Sequence, residues 1–341
     1  MREVGRLEYC WVFDWLEQSR RIRQILTSNP KWKNKKILIT GGAGFLGSHL
    51  VEAFVAEGAN VTVMDNFATG AFDNLALIAD RLQLIRGDIL SMNWMDVLRQ
   101  HEVEFFFHLV GNAHVPASVE NPEMDFTLNL RLAFDILESL RKVSWPGRFI
   151  FPSSAAVYGN PKRLPICEED WTVPISPYGV SKQAVERYMS VYHDIYGLKT
   201  ASLRLFSVYG PRQRKLVVYD LITKIINDPQ NVYVHGNGEQ VRDFLFIKDA
   251  VRAMMTVAWN GKFTGEVYNT ASGAECTILE LIQHISQVLE VNPRVTFSGS
   301  VRPGEPEKWS VDVSRLAGLG FVPSHSLQNG LEQTIAWIKS L

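Results

Sequence analysis

Three side chains near the middle of the chain have the types and spacing of a proton-transfer site. Tyr178 and Lys182 are four residues apart, so a helix would place both on one face. Pro177 precedes Tyr178 directly and is typical of a helix start. An ammonium beside a phenol is expected to lower the tyrosine pKa from about 10, so that Tyr178 could take a proton from a substrate hydroxyl as hydride leaves the same carbon. Ser154 follows a predicted strand over 148–151 and could hydrogen-bond the reacting oxygen.

A glycine-rich turn near residue 40 predicts a phosphate-binding site. Gly41, Gly44 and Gly47 follow a short apolar strand, Lys36–Thr40, and open a helical stretch that runs to about residue 57. Such glycines allow a tight turn and let the backbone approach a pyrophosphate. The helix N-terminus that follows supplies amide donors and a favourable dipole.

A carboxylate at the end of the next strand indicates which dinucleotide would bind. The strand Asn60–Met64 is followed by Asp65. A carboxylate in this place can accept hydrogen bonds from the adenosine ribose and would repel a 2′-phosphate. Asp65 therefore favours NAD over NADP.

Strands alternate with helical stretches as far as about residue 210, which predicts an α/β fold with a doubly wound parallel sheet. Further strands are predicted over 82–86, 104–108, 148–151 and 200–205. Beyond residue 210, helices over about 216–227, 249–259, 277–290 and 327–340 are mixed with short strands and Gly/Pro-rich loops. We therefore predict an N-terminal helical extension over 1–35, a dinucleotide-binding domain over 36–210 and a smaller α/β substrate lobe over 211–341.

Composition and charge exclude several classes of protein. The 341 residues include 46% apolar and 21% charged residues, and the net charge is −1, so no bulk field would recruit nucleic acid or an anionic membrane. No apolar run approaches the roughly 20 residues of a membrane helix. The three cysteines, Cys10, Cys167 and Cys276, are too scattered for a disulfide framework or a metal site. They are typical of reduced thiols in a cytoplasmic protein.

Taken in order, these motifs resemble the extended short-chain dehydrogenase/reductase family, whose cofactor domain is a Rossmann fold. The resemblance covers about residues 36–340 and points to the sugar-nucleotide epimerases and dehydratases, nearest to enzymes of the UDP-glucose 4-epimerase type. Its segments are the turn over 41–47, Asp65-Asn66, 87–89, 108–111, the Ser154, Tyr178 and Lys182 set, 203–212, 241–244 and 302–306.

The resemblance implies which residues meet NAD and which meet a sugar nucleotide, with UDP favoured. Besides Tyr178 and Lys182, the implied cofactor contacts are Gly41, Gly44, Phe45, Leu46, Gly47, Asp65, Asn66, Asp88, Ile89, Leu109, Val110, Gly111, Asn129 and Val208. The implied substrate contacts are Ser154, Ser207, His235, Arg242, Arg302 and Glu305. The guanidinium groups of Arg242 and Arg302 suit a pyrophosphate.

Two departures from the family pattern reduce the range of reactions that the resemblance implies. Dehydratases of the family carry Asp-Glu after the hydroxyl residue, and decarboxylases tend to carry a glutamate there. This chain has Ala155 and Ala156, neither of which can act as an acid or base. Ser207 stands where the family commonly has Asn, so one phosphate contact would be shorter or water-mediated. Dehydration and decarboxylation are therefore disfavoured, and epimerisation or simple redox chemistry is favoured.

The leading hypothesis is an NAD-dependent 4-epimerase that forms a transient 4-keto sugar. A reductase of a 4-keto sugar nucleotide would use the same three residues and consume reduced cofactor. A catalytically silent NAD-binding regulator is a third reading, against which the retained Ser154, Tyr178 and Lys182 argue. The resemblance also implies a homodimer that pairs helices over about 123–142 and 178–196.

Overall fold

Short apolar runs form a parallel sheet at the centre of the protein. The computed structural model describes residues 31–299 and 308–341. Its strands are β1 (Lys36–Thr40), β2 (Asn60–Asp65), β3 (Gln83–Arg86), β4 (Phe105–His108), β5 (Arg148–Ser154), β6 (Lys199–Leu205), β7 (Ser207–Tyr209), β8 (Val232–Val234), β9 (Val241–Phe246), β10 (Thr264–Thr270), β11 (Glu275–Thr277) and β12 (Val295–Phe297). Within the described ranges the large sheet has seven strands in the order β3-β2-β1-β4-β5-β6-β10, and its pairings are parallel. The predicted doubly wound fold is confirmed.

Helices cover both faces of this sheet, and others pack on the shorter strands. They are α1 (Phe45–Ala56), α2 (Trp94–Gln100), α3 (Val115–Glu120), α4 (Pro122–Asp125), a π-helical segment (Phe126–Arg131), α5 (Leu132–Lys142), α6 (Pro177–Tyr196), α7 (Leu216–Asn227), α8 (Ile247–Asn260), α9 (Ile278–Leu289), α10 (Ser314–Ala317) and α11 (Leu327–Lys339). Successive side chains of β1 alternate between the two faces. Ile37 and Ile39 pack with α1 and α8, whereas Leu38 packs with α2, α5 and α6.

A second, smaller group of strands and helices comes mainly from the last third of the chain. Strands β7 and β9 pair in parallel, β9 and β11 pair antiparallel, and β8 pairs with β12. Helices α7, α9 and α11 pack with these strands in one apolar cluster. The chain also returns to the large sheet, because β10 pairs with β6 and α8 packs on α1. Residues 247–270 therefore pack with the large sheet. The division of the chain into a cofactor domain and a substrate lobe at residue 210 stays a prediction.

Helix α6 begins and ends with strong local signals. The Ser176 side chain accepts a hydrogen bond from the Gly179 N–H at 3.2 Å, and Pro177 occupies the first turn. The helix ends at Gly197, whose φ of 71° is left-handed. The predicted helix over 178–196 is confirmed, and the one over 123–142 is α4, the π-helical segment and α5 in succession.

The predicted N-terminal helical extension lies mostly outside the described residues, which begin at Lys31. Trp32 is buried, with its ring centroid 4.8 Å from that of Phe54, 4.9 Å from that of Phe105 and 5.1 Å from that of Trp259. This contact ties the start of the described chain to α1, β4 and α8. Across residues 31–299 and 308–341, no helix combines the length and apolar character needed to cross a membrane.

Candidate functional site

The predicted site segments meet where the central parallel strands end. Thr40, the last residue of β1, is in register with Met64 of β2 and with His108, the last residue of β4. Ser154 ends β5 and is in register with Leu205, the last residue of β6. The glycine turn, the segment after β4 and the Ser154 hydroxyl therefore lie along one edge of the sheet, where ligands bind in open α/β folds.

Backbone geometry explains the glycines of the turn after β1. Gly41 has a φ of +72°, which favours glycine. A Cβ added at Gly47 would lie 2.1 Å from the Gly41 carbonyl oxygen, so only glycine allows α1 to start this close to the strand. At Gly44 an added Cβ would have a single neighbour within 4 Å, the same oxygen at 3.3 Å. The turn is closed behind Gly47 and open in front of Gly44, as a phosphate cradle requires.

Asp65 closes one side of this cradle. Its Oδ2 accepts a hydrogen bond from the Ala43 N–H at 2.9 Å, and its Oδ1 accepts one from the Phe67 N–H at 2.8 Å. The carboxylate is buried, and each oxygen keeps further acceptor capacity. The neighbouring Asn66 is exposed, and its Oδ1 accepts from the Ala68 N–H at 3.0 Å.

Of the two candidate cofactor contacts that follow β3, Asp88 lies at the surface and Ile89 lies in the core. Asp88 is exposed, and its Oδ1 accepts from the Leu90 N–H at 3.1 Å. The Ile89 side chain is buried in the cluster that includes Met64 and Phe106. Asp88 can therefore face a ligand with its side chain, whereas the Ile89 side chain is committed to packing.

The three predicted catalytic side chains come together at the start of α6. Tyr178 is buried and hydrogen-bonds Ser154, whose Oγ also accepts from the Ala156 N–H at 3.2 Å. The Lys182 ammonium donates to the Pro152 carbonyl oxygen at 2.9 Å and lies 5.8 Å from the centroid of the Tyr178 ring.

The tyrosine pKa differs from the expectation drawn from the sequence. Burial raises the pKa of Tyr178 to about 12, and the charge of Asp125 adds to the rise, while the Ser154 hydrogen bond opposes it. Burial also lowers the pKa of Lys182 to about 8. The expected lowering of the Tyr178 pKa by Lys182 is wrong for this structure, because the ammonium points to the Pro152 carbonyl and desolvation of the phenolate dominates.

Two buried polar atoms lie beside the segment after β4 without a hydrogen-bond partner. One is Oδ1 of Asn129, which would lie 2.3 Å from a Cβ added at Gly111. The other is Nε2 of His108, whose Nδ1 hydrogen-bonds the Thr40 hydroxyl at 2.8 Å. Burial lowers the pKa of His108 to about 3, and the charge of Lys182 lowers it further, so the imidazole is neutral. An orphaned buried acceptor such as Asn129 Oδ1 is typical of a ligand site.

Three of the predicted substrate residues, Ser207, His235 and Arg242, lie in or next to the shorter strands β7, β8 and β9. Ser207 and Val208 lie in β7, next to β9, which carries Arg242. The Arg242 guanidinium lies 5.2 Å from the centroid of the Trp309 ring. His235 is exposed, with its ring centroid 5.5 Å from that of Tyr233, and no described contact joins it to the other candidates.

Two of the predicted substrate residues lie outside the described residues, and two residues of the site were not predicted from the sequence. Arg302 and Glu305 belong to the undescribed range 300–307. The residues that were not predicted are Asp125 and Ser181, and the Ser181 hydroxyl donates a hydrogen bond to Asp125 Oδ2 at 2.8 Å inside the site. The one signal for Asp125 was its position four residues before Asn129.

Among residues 31–299 and 308–341 no cluster of His, Cys, Asp or Glu could hold a metal ion.

The chain is similar to known proteins along most of its length. A family model described as GDP-mannose 4,6 dehydratase matches residues 38–334. A putative UDP-glucose 4-epimerase of Methanocaldococcus jannaschii is 32% identical over 309 residues, which are 89% of this chain and 98% of that protein.

Two solved structures share the fold. The UDP-N-acetylglucosamine 4-epimerase from Methanobrevibacter ruminantium M1, in complex with UDP-N-acetylmuramic acid, has a TM-score of 0.84 at 32% identity and covers 90% of this chain and 99% of its own. The UDP-glucuronic acid 4-epimerase from Bacillus cereus, in complex with UDP-glucuronic acid and NAD, has a TM-score of 0.82 at 31% identity, with 89% and 99% covered.

The open face of the glycine turn can be tested with Gly44→Ala. The added methyl group would meet protein atoms only at 3.3 Å but would project where a pyrophosphate approaches, so we expect the Kd for NAD to rise at least about tenfold. Isothermal titration calorimetry measures this change. Gly318→Ala is the matched control, because its Cβ would also have a closest neighbour at 3.3 Å but lies at the C-terminal end of α10. Equal affinities in the two variants would contradict a phosphate site at Gly44.

Proposed function

Since the chain belongs to the GDP-mannose 4,6-dehydratase family, we propose that it is an NAD-dependent epimerase that inverts C4 of a sugar nucleotide. The observation that carries the proposal is the convergence of Ser154, Tyr178 and Lys182 at the end of β5, with two alanines directly after Ser154. This set can move a proton at a hydroxyl but offers no second acid or base there.

The residues at the sheet edge fit NAD. The open face of Gly44 and the first turn of α1, with Phe45, Leu46 and Gly47, would receive the pyrophosphate, because the helix N-terminus offers free amides there. Asp65 would accept from the adenosine ribose with the lone pairs that Ala43 and Phe67 leave free.

The other half of the cofactor would lie along the segment after β4. The orphaned Asn129 Oδ1 gives this part of the site an acceptor for a ribose hydroxyl or an amide. The further proposed contacts are Asn66, Asp88, Ile89, Leu109, Val110, Gly111 and Val208. When bound, NAD supplies the acceptor and donor of hydride at the sugar carbon.

We assign the proton chemistry to α6 and the end of β5. Tyr178 would exchange a proton with the sugar O4, and Ser154, already hydrogen-bonded to Tyr178, would hold that oxygen in place. For Tyr178 to accept a proton its pKa must fall from about 12. Lys182, one turn further along the helix, is placed to lower it when its ammonium turns toward the phenol.

The small side chains after Ser154 argue against the dehydration named in the family description. Elimination of water from the sugar needs a further acid and base close to C5 and C6. Ala155 is fully buried in an apolar cluster with Tyr158 and Phe206, and Ala156 is partly buried. Neither methyl group can carry a proton, so a keto sugar formed here would be reduced again rather than dehydrated.

We propose that the smaller lobe holds the diphosphate of the substrate, and that the nucleotide is UDP. Arg242 offers a planar cation supported by the Trp309 ring, and Ser207 offers a hydroxyl from the neighbouring strand. His235, Arg302 and Glu305 complete the proposed set. UDP is favoured because the two solved structures described above hold UDP-sugars.

The exposed apolar face of α6 supports a homodimer. Val180, Val191 and Ile195 are at least one-third exposed on this helix, and Tyr188 and Tyr196 extend the same surface. A monomer would leave this face in water, whereas a second copy of α5 and α6 would cover it.

We also propose a cytoplasmic location, supported by Cys167 and Cys276, which are free thiols.

The role of Tyr178 can be tested with Tyr178→Phe. The ring remains and only the proton-transferring hydroxyl is lost, so we expect kcat on UDP-sugars to fall at least about 100-fold with NAD affinity retained. Conversion without added reductant is followed by anion-exchange chromatography and proton NMR. Tyr196→Phe, on the same helix and half-exposed, should keep normal turnover. Near-normal activity of Tyr178→Phe would overturn the assignment. Consumption of added NADH with a 4-keto sugar nucleotide, without epimerisation, would identify a reductase instead.

The dimer can be tested with Ile195→Glu, which places a charge at a residue that is 64% exposed. Burying that charge in an interface would be costly, so we expect the variant to sediment as a monomer at concentrations where the wild type is a dimer. Val322→Glu, 66% exposed in the loop before α11, is the matched control and should not change the sedimentation coefficient. A monomeric wild type at micromolar concentration would contradict the proposed homodimer.

A further inference from the structure

Asp125 is a fully buried carboxylate that faces the catalytic helix. Its Oδ1 accepts hydrogen bonds from Asn129 Nδ2 at 2.7 Å and from Asn112 Nδ2 at 3.1 Å, and its Oδ2 accepts from the Ser181 hydroxyl at 2.8 Å. All three donors are neutral. Within residues 31–299 and 308–341, Asp125 makes no ion pair, although a buried charge normally has a partner of opposite sign.

These hydrogen bonds fix the orientation of the Asn129 amide. Nδ2 of Asn129 donates to Asp125 and to the Asn112 carbonyl oxygen at 3.0 Å, which uses both of its hydrogens. Oδ1 must then point the other way, toward Gly111, where it has no partner. A Cβ added at Gly111 would lie 2.3 Å from this oxygen and 3.9 Å from the Lys182 ammonium. Asp125 therefore sets the direction of an acceptor that shares one small space with Lys182.

The charge of Asp125 acts on Lys182 across the interface between α4 and α6. Among residues 31–299 and 308–341, the titratable groups coupled to Lys182 are Asp125 on α4, Glu186 on its own helix and His108 at the end of β4, and the Tyr178 ring centroid lies 5.8 Å from its ammonium. Glu186 is already paired with the Arg204 guanidinium at 2.7 Å, and His108 is neutral. Of the two carboxylates in this group, Asp125 is therefore the one that makes no ion pair with another described residue.

We propose that Asp125 is a positioning residue for the proposed epimerisation, which orients the Asn129 acceptor and keeps the buried Lys182 side chain in its ammonium form. The inference rests on the proposed function for its catalytic meaning. Its electrostatic part concerns the free protein alone. Burial lowers the pKa of Lys182, whereas Asp125 and Glu186 raise it, and Asp125 also raises the pKa of Tyr178. Removing the Asp125 charge should thus lower both pKa values.

The direct test is Asp125→Asn, which keeps the shape and the acceptor oxygen but removes the charge. Lys182 is titrated in the ligand-free protein by NMR of lysine labelled with carbon-13 at Cε, with the resonance assigned through Lys182→Arg. We expect the midpoint to fall by about one pH unit, or tenfold in proton affinity. Ser181→Ala is the matched control, because it removes a hydrogen bond to Asp125 and leaves the charge, so its midpoint should stay at the wild-type value.

The pH profile of kcat/KM gives the second readout. Asp125 raises the pKa values of both Tyr178 and Lys182, so Asp125→Asn should move both limbs of the profile to lower pH. A merely structural role would lower the plateau and leave both limbs in place. Should Asp125→Asn fail to fold, Asp125→Ser makes the same charge change with a smaller side chain.

The outcomes separate the inference from the proposed function. An unchanged Lys182 midpoint in the neutral variants overturns the electrostatic role of Asp125, whatever the enzyme does. A lowered midpoint in a protein that converts no sugar nucleotide supports the electrostatic link and refutes the epimerase. A lowered midpoint together with shifted limbs supports both.

Discussion

The proposed chemistry depends on keeping one ammonium group charged inside the protein. Lys182 is buried, and water is replaced by the Pro152 carbonyl oxygen at 2.9 Å and the face of the Phe151 ring, whose centroid lies 4.3 Å away. Both groups come from β5, so the strand that ends in Ser154 also carries the lysine's supports. The Ser118 hydroxyl accepts from the Tyr178 N–H at 3.2 Å and holds the start of α6 from a third element. The site is thus a property of how α3, β5 and α6 pack.

The smaller lobe is tied to this arrangement by buried polar contacts. Arg204 of β6 pairs with Glu186 of α6 and donates to the Tyr158 hydroxyl at 2.8 Å, and that hydroxyl donates to Asn269 of β10 at 2.6 Å. Asn269 also donates to the Asp312 carbonyl oxygen at 3.2 Å, close to the chain that carries Trp309. A buried network of this kind is specific because each donor must find its acceptor. It connects the helix with Tyr178 and Lys182 to the chain near Trp309, whose ring lies against Arg242.

The sequence predicted the fold well because its signals are local. The apolar runs, the turn over 41–47 and the cap at Ser176 each act within a few residues, and the strands and α6 appear where expected. Effects that depend on burial or on contacts between distant parts of the chain could not be predicted from the sequence. The tyrosine pKa was placed on the wrong side of its ordinary value, because burial outweighs a lysine one turn away. Asp125 was missed because its partners Asn112 and Ser181 lie 13 and 56 positions away in the chain. The return of β10 to the large sheet was likewise hidden by the boundary near residue 210.

The most direct test of the central claim is the fate of the hydrogen at C4. Purified protein would be incubated without added reductant with UDP-glucose, UDP-glucuronic acid and UDP-N-acetylglucosamine, each deuterated at C4, and the products analysed by NMR and mass spectrometry. We expect at least one of them to give its C4 epimer with the deuterium still at C4, because the same hydride leaves and returns within one site. Failure to convert any of the three, or loss of the deuterium to solvent during inversion, would contradict it.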